Sequence, residues 1–250
     1  MKKEISCLRL EEERWSRSSC QVAEETPLCI FLNGHNLSTA MISPEMEEEF
    51  LLGHLFSEGI ISTIGEVESM AVEGNVARVI VSSPAKAQRS ASPLVSGCGG
   101  SPSLLDPGLL PMISSELKIG KEDLFVAMNA VSQSLVHRAT GGVHSLGLFI
   151  EGRALCVAED IGRHNALDKV VGRGLQMGVS FSQTYLASTG RISSEMALKV
   201  IRAGIPFVAS RGGATSLAVE IAEKTGLTIA GFVRGRSMSI YTNPWRIVEF

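Results

Sequence analysis

TYLASTGRISSEMALKVIRAGIPFVASRGGATSLAVEIAEKTGLTIAGFV, residues 184–233, decides the fold of this 250-residue chain. It holds three short apolar runs, TYLAS, IPFVAS and LTIAGFV, separated by two segments in which apolar residues recur with helical spacing. Strands that alternate with helices form a sheet with helices packed on it, and the crossover connections make such strands parallel. The stretch therefore predicts an α/β domain whose sheet is largely parallel in this half. No internal repeat is apparent.

The same domain extends towards the N-terminus. A helix is predicted over residues 123–137 from its apolar spacing, followed by two strands joined by Glu151-Gly152 and a second helix over residues 165–176. We expect residues 121–250 to form this α/β domain, in a chain that is α+β overall.

The first part of the chain predicts a small β-rich N-terminal module over residues 1–95 with one helix. Asn33-Gly34 follows a short apolar run and is a strong signal for a β-hairpin. Ser43-Pro44, with acidic residues behind it, predicts a helix that Ser43 caps and that ends near Gly59. The charged stretch at the N-terminus predicts a frayed end or an edge strand.

Composition and charge exclude several classes of protein. The chain has 23 basic and 26 acidic residues, a net charge of −3, whereas a general nucleic-acid-binding protein has a basic excess. The N-terminus lacks the apolar core of a signal peptide, and no apolar run approaches the roughly 20 residues that a membrane span requires. We expect a cytoplasmic protein that binds neither nucleic acid nor membrane.

The cysteines are an odd and scattered set without a CxxC pair. This spacing predicts neither a disulfide framework nor a zinc site, and no structural metal is expected. The patterns of zinc deaminases, HExxH metalloproteases and GxSxG hydrolases are also missing from the sequence. The five residues are Cys7, Cys20, Cys29, Cys98 and Cys156.

Cys98 is the candidate nucleophile. It lies in SGCGG, inside residues 96–120, a stretch rich in Gly, Ser and Pro that we predict to be a mobile loop. The neighbouring glycines leave the sulfur with little steric cover, and N–H groups of such a loop stabilise the thiolate, which is the reactive form. The alternative is that Cys98 has no chemical role and is an incidental small residue in a flexible loop.

Polar motifs follow the predicted strands at their carboxyl ends: EDIGRHN (159–165), STGRISSEM (188–196), SRGGATS (210–216) and FVRGRS (232–237). Loops at this edge of an α/β sheet bind anions, so together they predict a pocket for a bulky phosphorylated ligand. For the first motif, an alternative is that Asn165 caps the helix and Asp160 pairs with Arg163. The candidate binding residues are His144, Asp160, Arg163, His164, Arg191, Arg234 and Arg236.

These motifs together resemble a known family. EDIGRHNALDKVVG is similar to the signature of the formate dehydrogenase accessory sulfurtransferases of the FdhD type. TGGVHSLGLF, STGRISSEM, GIPFVASRGGATSLAVEIAEKTGLTIAGFVRG and YTNPWRI resemble other stretches of that family in the same order, as do LNGHNLSTAMISP and GHLFSEGII nearer the N-terminus. The resemblance covers nearly the whole chain.

The resemblance implies a second domain with a mixed sheet similar to that of cytidine deaminase but without zinc, and a cytoplasmic homodimer. It implies that Cys98, which matches the first cysteine of the family's loop, takes sulfur as a persulfide from a cysteine desulfurase. The sulfur then passes to the molybdenum or tungsten of a bis(pterin guanine dinucleotide) cofactor, a bound substrate that formate dehydrogenase needs. The stretch that matches the family's guanine dinucleotide segment is Phe232, Val233, Arg234, Gly235, Arg236 and Ser237.

One position departs from the family pattern. Many members have a second cysteine three residues after the first, and this chain has Ser101 there. Without a second thiol there can be no relay between two cysteines, so sulfur transfer would depend on Cys98 alone. A rival expectation is a non-catalytic chaperone that binds the cofactor and docks it onto formate dehydrogenase. A guanine-nucleotide hydrolase ranks last because the Walker residues are missing.

Overall fold

The computed structural model describes residues 1–82 and 110–249. Cys98, Ser101 and most of the 96–120 stretch lie outside the described residues. The first elements are the strands β1 Lys2–Glu11, β2 Arg14–Ala23, β3 Thr26–Leu32 and β4 His35–Ile42, helix α1 Glu47–Ser57, a 3₁₀ turn Ile64–Glu66, and the strands β5 Val67–Glu73 and β6 Val76–Val81.

The remaining elements begin after the gap in the described residues. They are β7 Ile119–Gly120, α2 Lys121–Ser132, α3 Leu135–Thr140, β8 His144–Ile150, β9 Arg153–Asp160, α4 Arg163–Gln176, β10 Tyr185–Ser188, α5 Ser194–Arg202, β11 Phe207–Ser210, α6 Ser216–Thr225, β12 Thr228–Arg234, β13 Ser237–Ile240 and β14 Ile247–Val248, with 3₁₀ turns at Phe181–Gln183 and Pro244–Arg246.

A six-stranded mixed sheet dominates the second part, in the order β13-β12-β11-β10-β8-β9. β10, β11 and β12 are parallel neighbours, whereas β8, β9 and β13 pair antiparallel. The predicted α/β class and the parallel second half of the sheet are therefore confirmed. In the first part, β4-β3-β6-β5 form a smaller sheet, and the predicted Asn33-Gly34 hairpin joins β3 to β4.

Residues 185–204 and 207–226 form two copies of one strand–loop–helix unit, which corrects the expectation of no internal repeat. β10 and β11 pair in parallel with a constant offset of 22 residues. In each unit, the hydroxyl of the last strand residue accepts a loop N–H, the residue before the helix caps it, and a glycine of positive φ follows it. The corresponding pairs are Ser188 and Ser210, Ser193 and Thr215, and Gly204 and Gly226.

Both faces of the large sheet are covered by hydrophobic side chains. On one face, α4, α5 and α6 pack against residues such as Leu148, Leu186 and Val208. On the other, α2 packs through Leu124 and its neighbours against aromatic and small residues of β8, β10 and β11. Because side chains alternate along a strand, residues at the strand ends also divide between an α4 side and an α2 side.

Helix α1 packs directly against α4 and joins the small sheet to the α/β part. Two glycines allow this close approach: a Cβ at Gly53 would lie 1.8 Å from the backbone oxygen of Asp168, and a Cβ at Gly172 would lie 1.8 Å from that of Glu49. Each helix thus brings its backbone against the other at a position where a side chain would collide. The two parts of the chain share an interface that depends on these glycines.

Two local predictions in the N-terminal part are wrong. Helix α1 starts at Glu47, with Met46 before it in the left-handed region at φ 59°, so Ser43 does not cap it. Ser43 is buried and hydrogen bonded to the β9–α4 turn instead. The charged N-terminus forms the β1–β2 hairpin, and a disulfide joins Cys7 to Cys20 across it, contrary to the expectation from cysteine spacing.

Candidate functional site

The polar motifs at the strand ends meet at one edge of the six-stranded sheet. β10 and β11 run parallel and end at Ser188 and Ser210. β8 runs antiparallel to β10, so its first residue His144 lies at this same edge, opposite Asp160 at the end of β9. The sequence places these motifs far apart, and the mixed topology brings them together at what we call the carboxyl edge.

Three positive or titratable side chains gather on the α4 side of this edge. A Cβ at Gly190 would lie 3.1 Å from His144 Nδ1 and 3.2 Å from Arg163 Cβ, so this glycine lets both side chains approach the loop. Burial, followed by repulsion from Arg163, lowers the pKa of His144. Burial and the charge of Arg191 likewise lower the pKa of Arg163, against an opposing contribution from Glu195. Cations that destabilise one another favour an anion between them.

His164 stands at the first turn of α4 beside this group. Burial, and then the charges of Arg163 and Lys199, lower its pKa to about 4. Its Nε2 lies 3.4 Å from Glu195 Oε2, but a neutral imidazole forms no ion pair with that carboxylate. Within residues 1–82 and 110–249, His164 Nε2 and Arg163 Nε are buried without a hydrogen-bond partner. A buried polar atom of this kind needs a partner, which a bound ligand or water would supply.

Asp160 differs from its neighbours in the motif because it is fully buried. Its carboxylate accepts hydrogen bonds from the N–H groups of Ser43 and Gly162 and from Asn165 Nδ2, and it pairs with Lys169 Nζ at 2.7 Å. The alternative, in which Asn165 caps the helix and Asp160 pairs with Arg163, is wrong. Gly162 is the N-cap of α4, and Lys169 is the ion-pair partner of Asp160. We assign Asp160 to holding the start of α4 rather than to touching a ligand.

A cavity of about 360 Å³ opens on the α2 side of the carboxyl edge. Two arginines line it: Arg211 follows β11, and Arg234 ends β12 and donates from Nε to the Arg211 backbone oxygen at 3.0 Å. The opposite wall is the last turns of α2. The other lining residues are Phe125, Met128, Asn129, Ser132, Gln133, Val233 and Gly235.

Phe232 directly precedes Val233 and Arg234, which line this cavity, and presents an aromatic ring near the Arg234 guanidinium. It is 48% exposed and sits in the left-handed region at φ 52°, an uncommon conformation for a bulky residue. A Cβ at Gly213 would lie 3.0 Å from the ring, and the Arg234 guanidinium lies 5.9 Å from its centre. Strained backbone of this kind concentrates at functional sites. An exposed ring backed by a guanidinium is suited to stacking on a planar ligand.

The structure divides the residues that the sequence grouped together. His144, Arg163, His164 and Arg191 lie on the α4 side. Val233, Arg234 and Gly235 line the α2-side cavity, while Arg236 is exposed in the β12–β13 turn and Ser237 is exposed at the start of β13.

The motif SRGGATS contains Arg211, but Arg211 was not among the candidate binding residues predicted from the sequence. No residue at the end of α2 was predicted to line a site. Arg211 had a signal similar to that of Arg191, a basic residue in the loop that follows a predicted strand. Asn129, Ser132 and Gln133 carried no local signal, because only the packing of α2 across the sheet brings them to the carboxyl edge.

In the described part of the chain, no group of three or more His, Cys, Asp or Glu side chains is arranged to hold a metal ion. No helix found there has the length and apolar character needed to cross a membrane.

Fold and site together define an α/β protein with a cationic cavity at the carboxyl edge of its sheet. The profile of the FdhD/NarQ family matches residues 23–248, so the chain belongs to that family. It is 37% identical over 254 residues to the sulfur carrier protein FdhD of Saccharolobus solfataricus and 33% identical over 248 residues to that of Methanothermobacter thermautotrophicus, covering 98% of each chain in both cases.

A crystal structure shares the fold over nearly its whole length. It is that of a candidate formate dehydrogenase accessory protein from Desulfotalea psychrophila, with a TM-score of 0.83, 26% identity and 99% of both chains covered.

Proposed function

We propose that this protein is a sulfur carrier in formate dehydrogenase maturation, with Cys98 as the carrying residue. Sulfur from a cysteine desulfurase would be delivered to the molybdenum or tungsten of a bis(pterin guanine dinucleotide) cofactor, which is the bound substrate. The names of the relatives support sulfur transfer, and the cationic cavity is the observation that carries the cofactor assignment. As the resemblance implies, we place the activity in the cytoplasm and in a homodimer.

The proposed chemistry has two balanced steps. The Cys98 thiolate attacks the outer sulfur of the donor persulfide, so a new S–S bond forms on Cys98 and the donor cysteine leaves as a thiolate. In the second step the outer sulfur moves to a reduced metal centre. The S–S bond breaks, Cys98 returns as a thiolate, and the metal supplies two electrons as it forms the metal–sulfur bond.

The cavity suits the guanine dinucleotide arm of such a substrate. Arg211 and Arg234 offer guanidinium groups to its phosphates, for which the planar fork of arginine is well matched. The ring of Phe232 offers a stacking surface for the base. The positive group on the α4 side, with Arg163 and Arg191, would meet further negative charge where the substrate crosses the carboxyl edge.

The two free cysteines in the described residues, Cys29 and Cys156, differ from a carrier thiol. Burial raises the pKa of Cys156 to about 11, so this thiol is protonated near neutral pH and is a poor nucleophile. Cys29 is partly buried in β3, and its sulfur accepts a hydrogen bond from Thr39 Oγ1 at 3.5 Å.

Intact-mass spectrometry after incubation with a cysteine desulfurase and cysteine tests the proposal. We expect the wild type and a Cys29→Ser control to gain one reducible sulfur atom, and Cys98→Ala to gain none. A sulfur atom retained by Cys98→Ala would sink the assignment of the carrier. No adduct on any variant, together with binding of GDP, would favour the non-catalytic chaperone instead.

A further inference from the structure

A carboxylate lies among the cations on the α4 side of the carboxyl edge. Glu195, in the first turn of α5, has a side chain that is 49% exposed, and its Oε2 lies 3.4 Å from His164 Nε2. Burial and the charge of Arg191 lower the pKa of Arg163, whereas Glu195 raises it, so the carboxylate also acts on this guanidinium. Glu195 therefore stands where an anion is electrostatically favoured.

This carboxylate does not complete the hydrogen bonding of the groups around it. In the part of the chain that the structure describes, His164 Nε2 and Arg163 Nε are buried and have no hydrogen-bond partner. The approach of Glu195 to His164 is thus close in distance but is not an aligned hydrogen bond. A buried polar atom without a partner is costly, so an anion that aligned with these two groups would bind them better than Glu195 does.

Two other carboxylates at this edge are held firmly by the fold. Asp160 is fully buried and pairs with Lys169 at 2.7 Å. Glu159 accepts two backbone N–H groups at the start of α3, at 3.2 and 2.6 Å. The Glu195 carboxylate accepts no hydrogen bond from any residue within 1–82 and 110–249, and half of its side chain faces solvent. It can therefore rotate away at little cost, unlike the other two.

The surroundings of Glu195 suit a small anion. A Cβ at Gly190 would lie 3.1 Å from His144 Nδ1 and 3.2 Å from Arg163 Cβ, so the loop backbone closes on these side chains. Arg163 and His164 begin the 14-residue helix α4, whose N-cap Gly162 contributes no side-chain cap, and the dipole of a helix is positive at this end. The planar fork of a guanidinium matches the oxygens of a phosphate.

We propose that the α4 side of the carboxyl edge is an oxyanion site for a phosphate group, and that Glu195 is an internal competitor that leaves when the ligand binds. Arg163 and Arg191 bind the phosphate oxygens, and His164 donates to them from Nε2. Free phosphate and a phosphate of the substrate's guanine dinucleotide offer the same chemistry, and the experiment separates them. The link to that substrate rests on the proposed function, whereas the site itself rests on these side chains.

The competitor role is tested by equilibrium dialysis of the whole protein against radiolabelled inorganic phosphate. Glu195→Gln keeps the size of the side chain and removes its charge. A unit charge about 4 Å from an anion in a largely solvated setting changes affinity by about fivefold, so we expect Glu195→Gln to bind phosphate about fivefold more tightly than the wild type. Glu223→Gln removes an exposed carboxylate from α6 and should bind as the wild type does. Equal affinities in Glu195→Gln and the wild type would overturn the competitor role.

The arginines test the site itself. Loss of a hydrogen-bonded charge in Arg163→Met should weaken phosphate binding by about 10- to 100-fold. Arg191 is exposed, so Arg191→Met leaves the interior intact and should weaken binding by about two- to fivefold. Arg153→Met, which removes an exposed arginine from the start of β9, should bind as the wild type does. A wild type that binds no phosphate, or arginine variants at 163 and 191 that bind it normally, would overturn the site.

Competition then identifies the source of the phosphate. Displacement of the labelled phosphate by GDP assigns the site to a phosphate of the dinucleotide, whereas retention at saturating GDP assigns it to free phosphate. Guanosine lacks phosphate and should displace nothing; displacement by guanosine would overturn the oxyanion assignment. Neither Cys98 nor sulfur enters these measurements. Failure of the carrier proposal would therefore leave the result standing, and absence of phosphate binding would leave the carrier proposal standing.

Discussion

Arg211 and Arg234 are the residues whose charges most directly define the α2-side cavity. Both line it, and a hydrogen bond from one side chain to the backbone of the other fixes their spacing. Hydrogen bonds to charged groups contribute about 1.5–3 kcal/mol, so we expect Arg211→Ala and Arg234→Ala each to weaken GDP binding by about 10- to 100-fold. Isothermal titration calorimetry measures this effect.

Arg236→Ala is the matched comparison for these two variants, since it removes an exposed arginine from the adjacent turn. We expect it to change the GDP affinity by no more than about threefold, the range of an exposed charge. If Arg236→Ala weakens binding as much as Arg234→Ala does, the nucleotide lies on the turn and not in the cavity.

His164 makes the stability of the protein depend on pH. Its pKa is lowered from 6.5 to about 4, so the folded state binds fewer protons than the unfolded state between these values. The stabilisation is fully present above pH 6.5 and is lost as pH falls towards 4, by up to about 3 kcal/mol. We expect the free energy of urea unfolding to fall over this range, and to fall less in His164→Gln.

His35, which is exposed at the start of β4, is the site of the control substitution. His35→Gln should keep the wild-type dependence of the unfolding free energy on pH. A wild-type protein that is equally stable at pH 6.5 and pH 4.5 would contradict the buried, neutral state of His164.

At the residue scale, the sequence predicted that polar motifs meet at the carboxyl edge. It did not show which of their side chains face a ligand and which are buried in the protein. Arg163 and Arg191 were recognisable because each lies in the loop or helix start that follows a predicted strand, three residues after the strand ends. Asp160 belongs to the same polar motif as Arg163, yet Ser43 and Lys169 surround its carboxylate inside the protein. A contact between residues more than a hundred positions apart leaves no local trace.

At the scale of elements, the crossing of α1 and α4 depends on glycine. Alanine in a helix is ordinarily favoured over glycine by about 1 kcal/mol, but a Cβ at Gly53 would overlap the backbone of Asp168. The collision involves backbone atoms that cannot rotate away. We therefore expect Gly53→Ala to destabilise the protein by about 1–3 kcal/mol in urea unfolding, as overpacking does.

Gly65 offers a matched control because its added Cβ would meet no atom closer than 3.8 Å. Gly65→Ala should change the free energy of unfolding by no more than about 0.5 kcal/mol. Gly53→Ala variants as stable as the wild type would mean that the two helices are farther apart than described.

Most elements of the α/β part were predictable because each strand or helix carries its own periodicity. The repeat of the β10–α5 and β11–α6 units, however, was missed, although Ser188 and Ser210, and Gly204 and Gly226, are identical at the 22-residue offset. The start of α1 was misplaced because Ser43-Pro44 has the form of a helix cap, while the serine is engaged by the β9–α4 turn. At Ser43 a tertiary contact overrode the local signal.

At the scale of the whole molecule, Lys169 joins the two parts of the chain. Its Nζ is fully buried, pairs with Asp160, and donates to the backbone oxygen of Ser43 at the end of the small sheet. The α4 start, which carries Arg163 and His164, is thereby fixed against the N-terminal part. The positions of Arg163 and His164 therefore depend on packing between the N-terminal part and the α/β part of the chain.

Removal of one partner from this buried pair should be far more costly than removal of both. Lys169→Met leaves the Asp160 charge buried and uncompensated, and we expect a loss of about 3–5 kcal/mol in urea unfolding. Asp160→Asn combined with Lys169→Met removes both charges and should recover a substantial part of that loss. Hydrogen exchange at residues 41–45 should rise more in the single variant. A double variant no more stable than Lys169→Met alone would show that the ion pair does not join the two parts.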